Sequence, residues 1–164
     1  MIRPGKLTLA LGTAVLAVLM LFFVVREMTR EKIPATDFAL TVDKAYSVEN
    51  QQLGSLYVIE GAVTNHLASS RCRIQIKATL LDGDGREVAQ EKVEAGLTVS
   101  ISELKFLGGE ELQAKLTPSG QDSCRTAEVG PGGSEAFMAI FRMLPPKAVS
   151  YKLVVTDSQT PQPK

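Results

Sequence analysis

Hydrophobic positions follow two regimes along the chain. From Leu7 to Val25 they are nearly continuous: LTLALGTAVLAVLMLFFVV holds no charge and no proline. From Asp37 onward they alternate with polar residues or gather in short runs between turn residues. The first regime predicts a membrane-spanning helix, because hydrocarbon admits a backbone only where it satisfies its own hydrogen bonds. Nineteen residues at ~1.5 Å each cover about 28 Å, close to the apolar thickness of a bilayer. The second regime predicts strands. Asp37–Val48 sets Phe38, Leu40, Val42 and Tyr46 on one side and Thr41 and Asp43 on the other, a period of two. Asn50–Gly54 is a turn. Leu56–Asn65 begins apolar on both faces, as a central strand does, and Gly61 inside it predicts a bulge or a close backbone crossing.

Arg71–Leu81 alternates most clearly. Cys72, Ile74, Ile76, Ala78 and Leu80 point one way, and Arg71, Arg73, Gln75, Lys77 and Thr79 the other. Asp82-Gly83-Asp84-Gly85 supplies a hairpin turn, and Arg86–Ala95 returns as a polar edge strand. Ser100–Leu116 breaks the period. Ser100 with Glu103 forms a capping box, Ile101, Leu104 and Leu107 keep helical spacing, and a second short helix follows Gly108-Gly109. Pro118–Asp122 is a loop, Thr126–Val129 a short strand and Gly130–Gly133 a turn. Ser134–Leu144 is apolar on both sides, and Val149, Tyr151, Leu153 and Val155 alternate in a last strand. Six or seven strands with one helical excursion define a mainly β chain, an antiparallel β-sandwich with a short helical insert behind one N-terminal transmembrane α-helix.

The resulting division is a cytoplasmic tail (1–6), the transmembrane helix (7–25), a linker (26–36), the β-sandwich domain (37–157) and a disordered tail (158–164). The charged run from Arg26 leaves no small-residue site for a signal peptidase, so Leu7–Val25 is an uncleaved signal anchor. Its short N-terminal tail stays in the cytoplasm, and the long C-terminal part is exported.

From Asp37 onward there are 13 basic and 16 acidic residues. That balance gives no long-range attraction for nucleic acid. Cys72 and Cys124 are the only cysteines. They admit two readings: a disulfide, which an extracytoplasmic compartment permits, or a small buried hydrophobe at 72 and a loop thiol at 124. With one histidine, His66, they cannot complete a zinc site. Asp82–Gly85 opens like a calcium loop, but Arg86 and Val93 occupy positions that need oxygen ligands. No phosphate cradle, catalytic set, metal or cofactor site is predicted, and the chain is read as no enzyme.

The run Leu56–Asn65, with Gly61, Val63 and Asn65 in an apolar-x-G-x-V-x-N pattern, resembles a strand of extracytoplasmic Ig-like modules. Taken with Leu80–Gly85, Ala95-Gly96, Ser102-Glu103-Leu104 and Val129–Gly132 before Phe137, it resembles an uncharacterised bacterial family. That family comprises membrane-anchored, FxLYD/LEA-like β-sandwich domains often found behind a zinc ribbon and one transmembrane helix. This chain has six residues, and no ribbon, before the apolar run. The resemblance implies a sandwich outside the inner membrane that binds or scaffolds another envelope protein. It implies no catalytic residue. The alternative is a small-ligand receptor or enzyme domain with a pocket between sandwich and helical insert.

Overall fold

Two three-stranded antiparallel sheets, packed face to face, make up the domain in a computed structural model that describes residues 37–117, 124 and 127–161. The expected membrane helix Leu7–Val25, its linker and the last three residues lie outside the described residues. Among the described residues no helix is long and apolar enough to cross a membrane. The elements are β1 (Phe38–Asn50), β2 (Gly54–Asn65), β3 (Cys72–Leu81), β4 (Glu87–Glu94), α1 (Ile101–Phe106), α2 (Gly109–Leu116), β5 (Ser134–Phe141) and β6 (Ser150–Gln159). One sheet runs β1-β2-β5 and the other β4-β3-β6.

Side chains from both sheets share the interior. Phe38, Val63 and Phe137 of the first sheet meet Ile74, Ile76 and Val155 of the second. Ile59, Ala139 and Phe141 meet Ala78 and Leu80. Burying each large aliphatic or aromatic side chain contributes about 1.5–3 kcal/mol, so these two clusters hold the sheets together.

β2 is central and covered on both faces, as its apolar start predicts. Its outer face carries Leu56 and Val58, and β5 adds Met138 beside them. Leu104 of α1 and Leu112 of α2 close over this patch. β5 is apolar on both sides for the same reason: Phe137, Ala139 and Phe141 enter the sandwich, while Met138 and Ile140 lie under the helices.

The alternation along β1 contains a break that its sequence hides. Phe38, Leu40 and Val42 pair with Asn65, Val63 and Gly61, but Lys44, Tyr46 and Val48 pair with Glu60, Val58 and Leu56. Asp43 is the extra residue of a β-bulge, which turns every later side chain to the opposite face. Tyr46 is expected beside Phe38; it lies instead on the outer face with Val48, packed against the insert. Gly61 faces the bulge. A Cβ there would overlap the Thr41 carbonyl oxygen and stand 2.9 Å from the Phe137 ring, so both features expected of this glycine occur together.

Two further expectations are corrected. Of the strand expected over Thr126–Val129, the described residues 127–129 form a single bridge, Val129 with Arg71. The tail expected from Ser158 begins later: Ser158 and Gln159 belong to β6, and Gln159 pairs with Cys72. The strand continues because β3 extends to meet it.

Candidate functional site

Asn65, the last residue of the G-x-V-x-N strand, is fully buried. Its amide donates to the carbonyls of Ser69 and Val129, each at 2.9 Å, and its side-chain oxygen accepts from the Leu67 N–H at 3.0 Å. Its backbone N–H donates to Gly133, and its carbonyl accepts from Gly132, a left-handed residue at φ 71°. One side chain thus satisfies two loops that would otherwise bury unpaired backbone groups. His66 follows it, exposed.

Asn50 plays the same part at the opposite end of β1. Its amide donates to the Leu104 and Leu107 carbonyls at 2.6 and 2.9 Å, and its oxygen accepts from Gln52 and Leu53, both at 2.8 Å. The β1–β2 turn therefore caps the C-terminus of α1. The sequence marks this segment only as a turn, because a cap from a distant strand leaves no local pattern.

Asp82, Gly83, Asp84 and Gly85 form the hairpin turn. The Asp82 carboxylate accepts from the Asp84 and Arg86 N–H groups at 2.9 Å each, Gly85 takes φ 77°, and Asp84 pairs with Arg86 at 2.9 Å. The Asp82 carboxylate is engaged by its own loop rather than presented to an ion. Among the described residues no three His, Cys, Asp or Glu side chains converge as a metal site.

The structure joins Cys72 and Cys124 in a disulfide, with Cα atoms 5.0 Å apart. Cys72 is buried at the start of β3. Nearby, Arg73 adopts φ 49° where β3 bulges against β6, and its guanidinium pairs with buried Glu94 at 3.7 Å. Burial pushes the Glu94 carboxyl above the usual range, and Arg73 partly offsets it.

The helical insert is locked by its own polar groups. The Ser100 hydroxyl accepts from the Glu103 N–H at 3.2 Å, and the Glu103 carboxylate accepts from the Ser100 N–H at 2.7 Å. Glu103 also pairs with Lys115 of α2 at 2.8 Å. Lys115 and then the Ser100 backbone lower its carboxyl from 4.5 to about 2. Glu111 accepts from the Gly108 N–H at 2.9 Å at the N-terminus of α2.

The interface between insert and sheet is filled by Leu104, Leu112, Val58 and Met138. A surface depression of about 570 Å³ lies instead along the outer side of α2, lined by Glu110, Gln113, Thr117 and Arg142 with two small residues.

Exposed large hydrophobic side chains among the described residues form two groups, Ile101 and Phe106 on α1 and a larger group on β6 and the connection before it. Met143, Leu144 and Val149 lie on the β5–β6 connection, and Tyr151 and Val154 on β6 itself. Among the described residues β6 pairs only with β3, which leaves the backbone donors and acceptors of its other edge open. Sequence reasoning missed this edge. Its signal is Val154, an apolar residue on the polar phase of the last strand, next to Val155 on the apolar phase.

The architecture is that of a sandwich-like, mainly β domain whose buried polar groups organise loops. The chain belongs to the family described as Protein of unknown function (DUF3426), whose model matches residues 38–155. No curated protein and no solved structure matches the chain.

Proposed function

We propose that this chain is a single-pass inner-membrane protein presenting a periplasmic Ig-like interaction module that binds another envelope protein. The observation that carries this reading is the open edge of β6 with its cluster of exposed apolar side chains. An edge of this kind takes an extended segment of a partner as an added strand. The other three edges are less open. β1 is bulged at Asp43, β4 carries Glu87, Glu91, Lys92 and Glu94, and the Gly96 N–H donates to the Ala136 carbonyl on β5 at 2.7 Å. The helical insert, the other candidate dock, buries Leu104 and Leu112 against the sheet and leaves Ile101 and Phe106 exposed, but its helices offer no open strand edge.

Three features support the location. Leu7–Val25 has the length and composition of an anchor. The Cys72–Cys124 disulfide suits an oxidising compartment. The strand order β1-β2-β5 against β4-β3-β6 suits an Ig-like module. The filled sheet–insert interface weighs against the small-ligand alternative, which needs a cavity there.

Photo-crosslinking in intact cells tests the reading. A photoreactive residue at Val154 is expected to give a discrete adduct that the same residue at Gln90 of β4 does not. Equal labelling from both positions, or none from Val154, would overturn it.

A further inference from the structure

The outer face of the β4-β3-β6 sheet carries an unbalanced charge pattern. Lys77 of β3 and Lys92 of β4 are direct cross-strand partners. Like charges placed opposite each other destabilise a sheet. Lys152 of β6 lies on the same face, pairing with Thr79, and Val154 pairs with Lys77. Among the described residues none of these three lysines has a carboxylate within 4.0 Å. Glu94, on the same face, is taken by Arg73, and Asp157 lies beyond the bulge at Thr156, beside Gln75. Among the described residues, three lysines without an acidic partner thus share one face of a domain with more acidic than basic residues. Lys152 stands on the β6 edge strand itself, Lys77 one strand in and Lys92 on the far edge.

We propose that the edge of β6 over Ser150–Val155, with Lys152 on it and Lys77 one strand behind, docks an acidic extended segment of a partner polypeptide. This rests on the reading of the domain as an interaction module and specifies its partner's chemistry. A strand added to β6 continues the pleat. On one side its residues lie next to Lys152 and Val154; on the other they lie next to Tyr151 and Leu153, which faces the core. Acidic residues on the first phase meet lysine, and apolar residues on the second extend the core face. A carboxylate on the added strand then faces Lys152, a favourable cross-strand pair, with the charge of Lys77 behind it. The backbone of the added strand satisfies the open groups of β6. A second copy of this chain fits less well, because β6 offers its own edge no acid before the bulge.

Amide hydrogen exchange on the full chain in neutral detergent micelles tests this, using two short blocked peptides. One alternates valine with glutamate and the other valine with lysine. The glutamate peptide is expected to slow exchange within Ser150–Val155, at concentrations about tenfold lower than the lysine peptide needs. Lys152→Glu, an exposed change whose folding circular dichroism checks, is expected to abolish or reverse that preference. Equal protection by both peptides, protection at another edge, or a preference that survives Lys152→Glu would overturn the proposal. So would an absence of peptide protection accompanied by slowed exchange at β6 when phosphatidylglycerol is added to the micelles. A Val154 crosslink in cells combined with equal action of the two peptides would remove the acidic partner while leaving the interaction module standing.

Discussion

Single residues set the loops of this domain. Asn65 is the clearest case: at full burial its one amide group holds the Ser69 and Val129 carbonyls and the Leu67 N–H. Truncation would leave these backbone groups without partners where water is excluded, at about 1–3 kcal/mol for an unsatisfied group. Asn65→Ala is therefore expected to lower unfolding stability by about 2–4 kcal/mol, read as a fall in urea midpoint. A change below about 0.5 kcal/mol would show that water or loop relaxation replaces the amide. Asn50 does equivalent work for the end of α1. Gly61 acts through absence of bulk, since the nearest atom that a side chain would strike is backbone, the Thr41 carbonyl oxygen, which cannot move aside as a flexible side chain can.

Among the elements, the insert is the one whose stability responds most clearly to pH. Glu103 caps α1, pairs with Lys115 of α2, and titrates at about 2 in the fold. A carboxyl depressed in the folded state stabilises it fully above the ordinary value of 4.5 and loses that contribution as pH falls toward about 2. Urea midpoints of the parent chain and Glu103→Gln, which keeps the capping shape without the charge, are expected to differ at neutral pH. They should converge between pH 4.5 and 2. A difference independent of pH would assign the effect to packing.

The legible and hidden parts of the fold divide at this same scale. Alternation located β1, β3 and β6, apolar runs on both faces located β2 and β5, and the Asp82–Gly85 turn placed the polar β4 after it. The capping box located the insert because its signal is four residues long and local. What stayed hidden was non-local. The bulge at Asp43 breaks no visible pattern, because Phe38 and Tyr46 are both apolar and both find apolar surroundings, on opposite faces of the sheet. The insert's burial against β2 could be suspected only from the apolar outer face of that strand. The candidate edge was hidden because order within a sheet, which makes β6 terminal, is a property of topology.

For the whole molecule, the sheets place the beginning of β1 and the end of β6 at one end of the domain. Phe38 pairs with Asn65, Gln159 pairs with Cys72, and Val129 links the two corners through Asn65 and Arg71. The turns at Asn50–Gly54 and Asp82–Gly85 and the apolar β5–β6 connection lie at the other end. The disulfide closes a loop of 52 residues, for which chain entropy gives about 4 kcal/mol of stabilisation. Disulfides persist in oxidising compartments, and the proposed location is one. Protease treatment of intact spheroplasts carrying the full chain with an N-terminal tag tests that placement most directly. The account predicts that the β domain is digested from outside while a short tagged fragment stays protected in the membrane. A domain that resists until the membrane is dissolved, or a chain recovered in the soluble fraction without detergent, would contradict it.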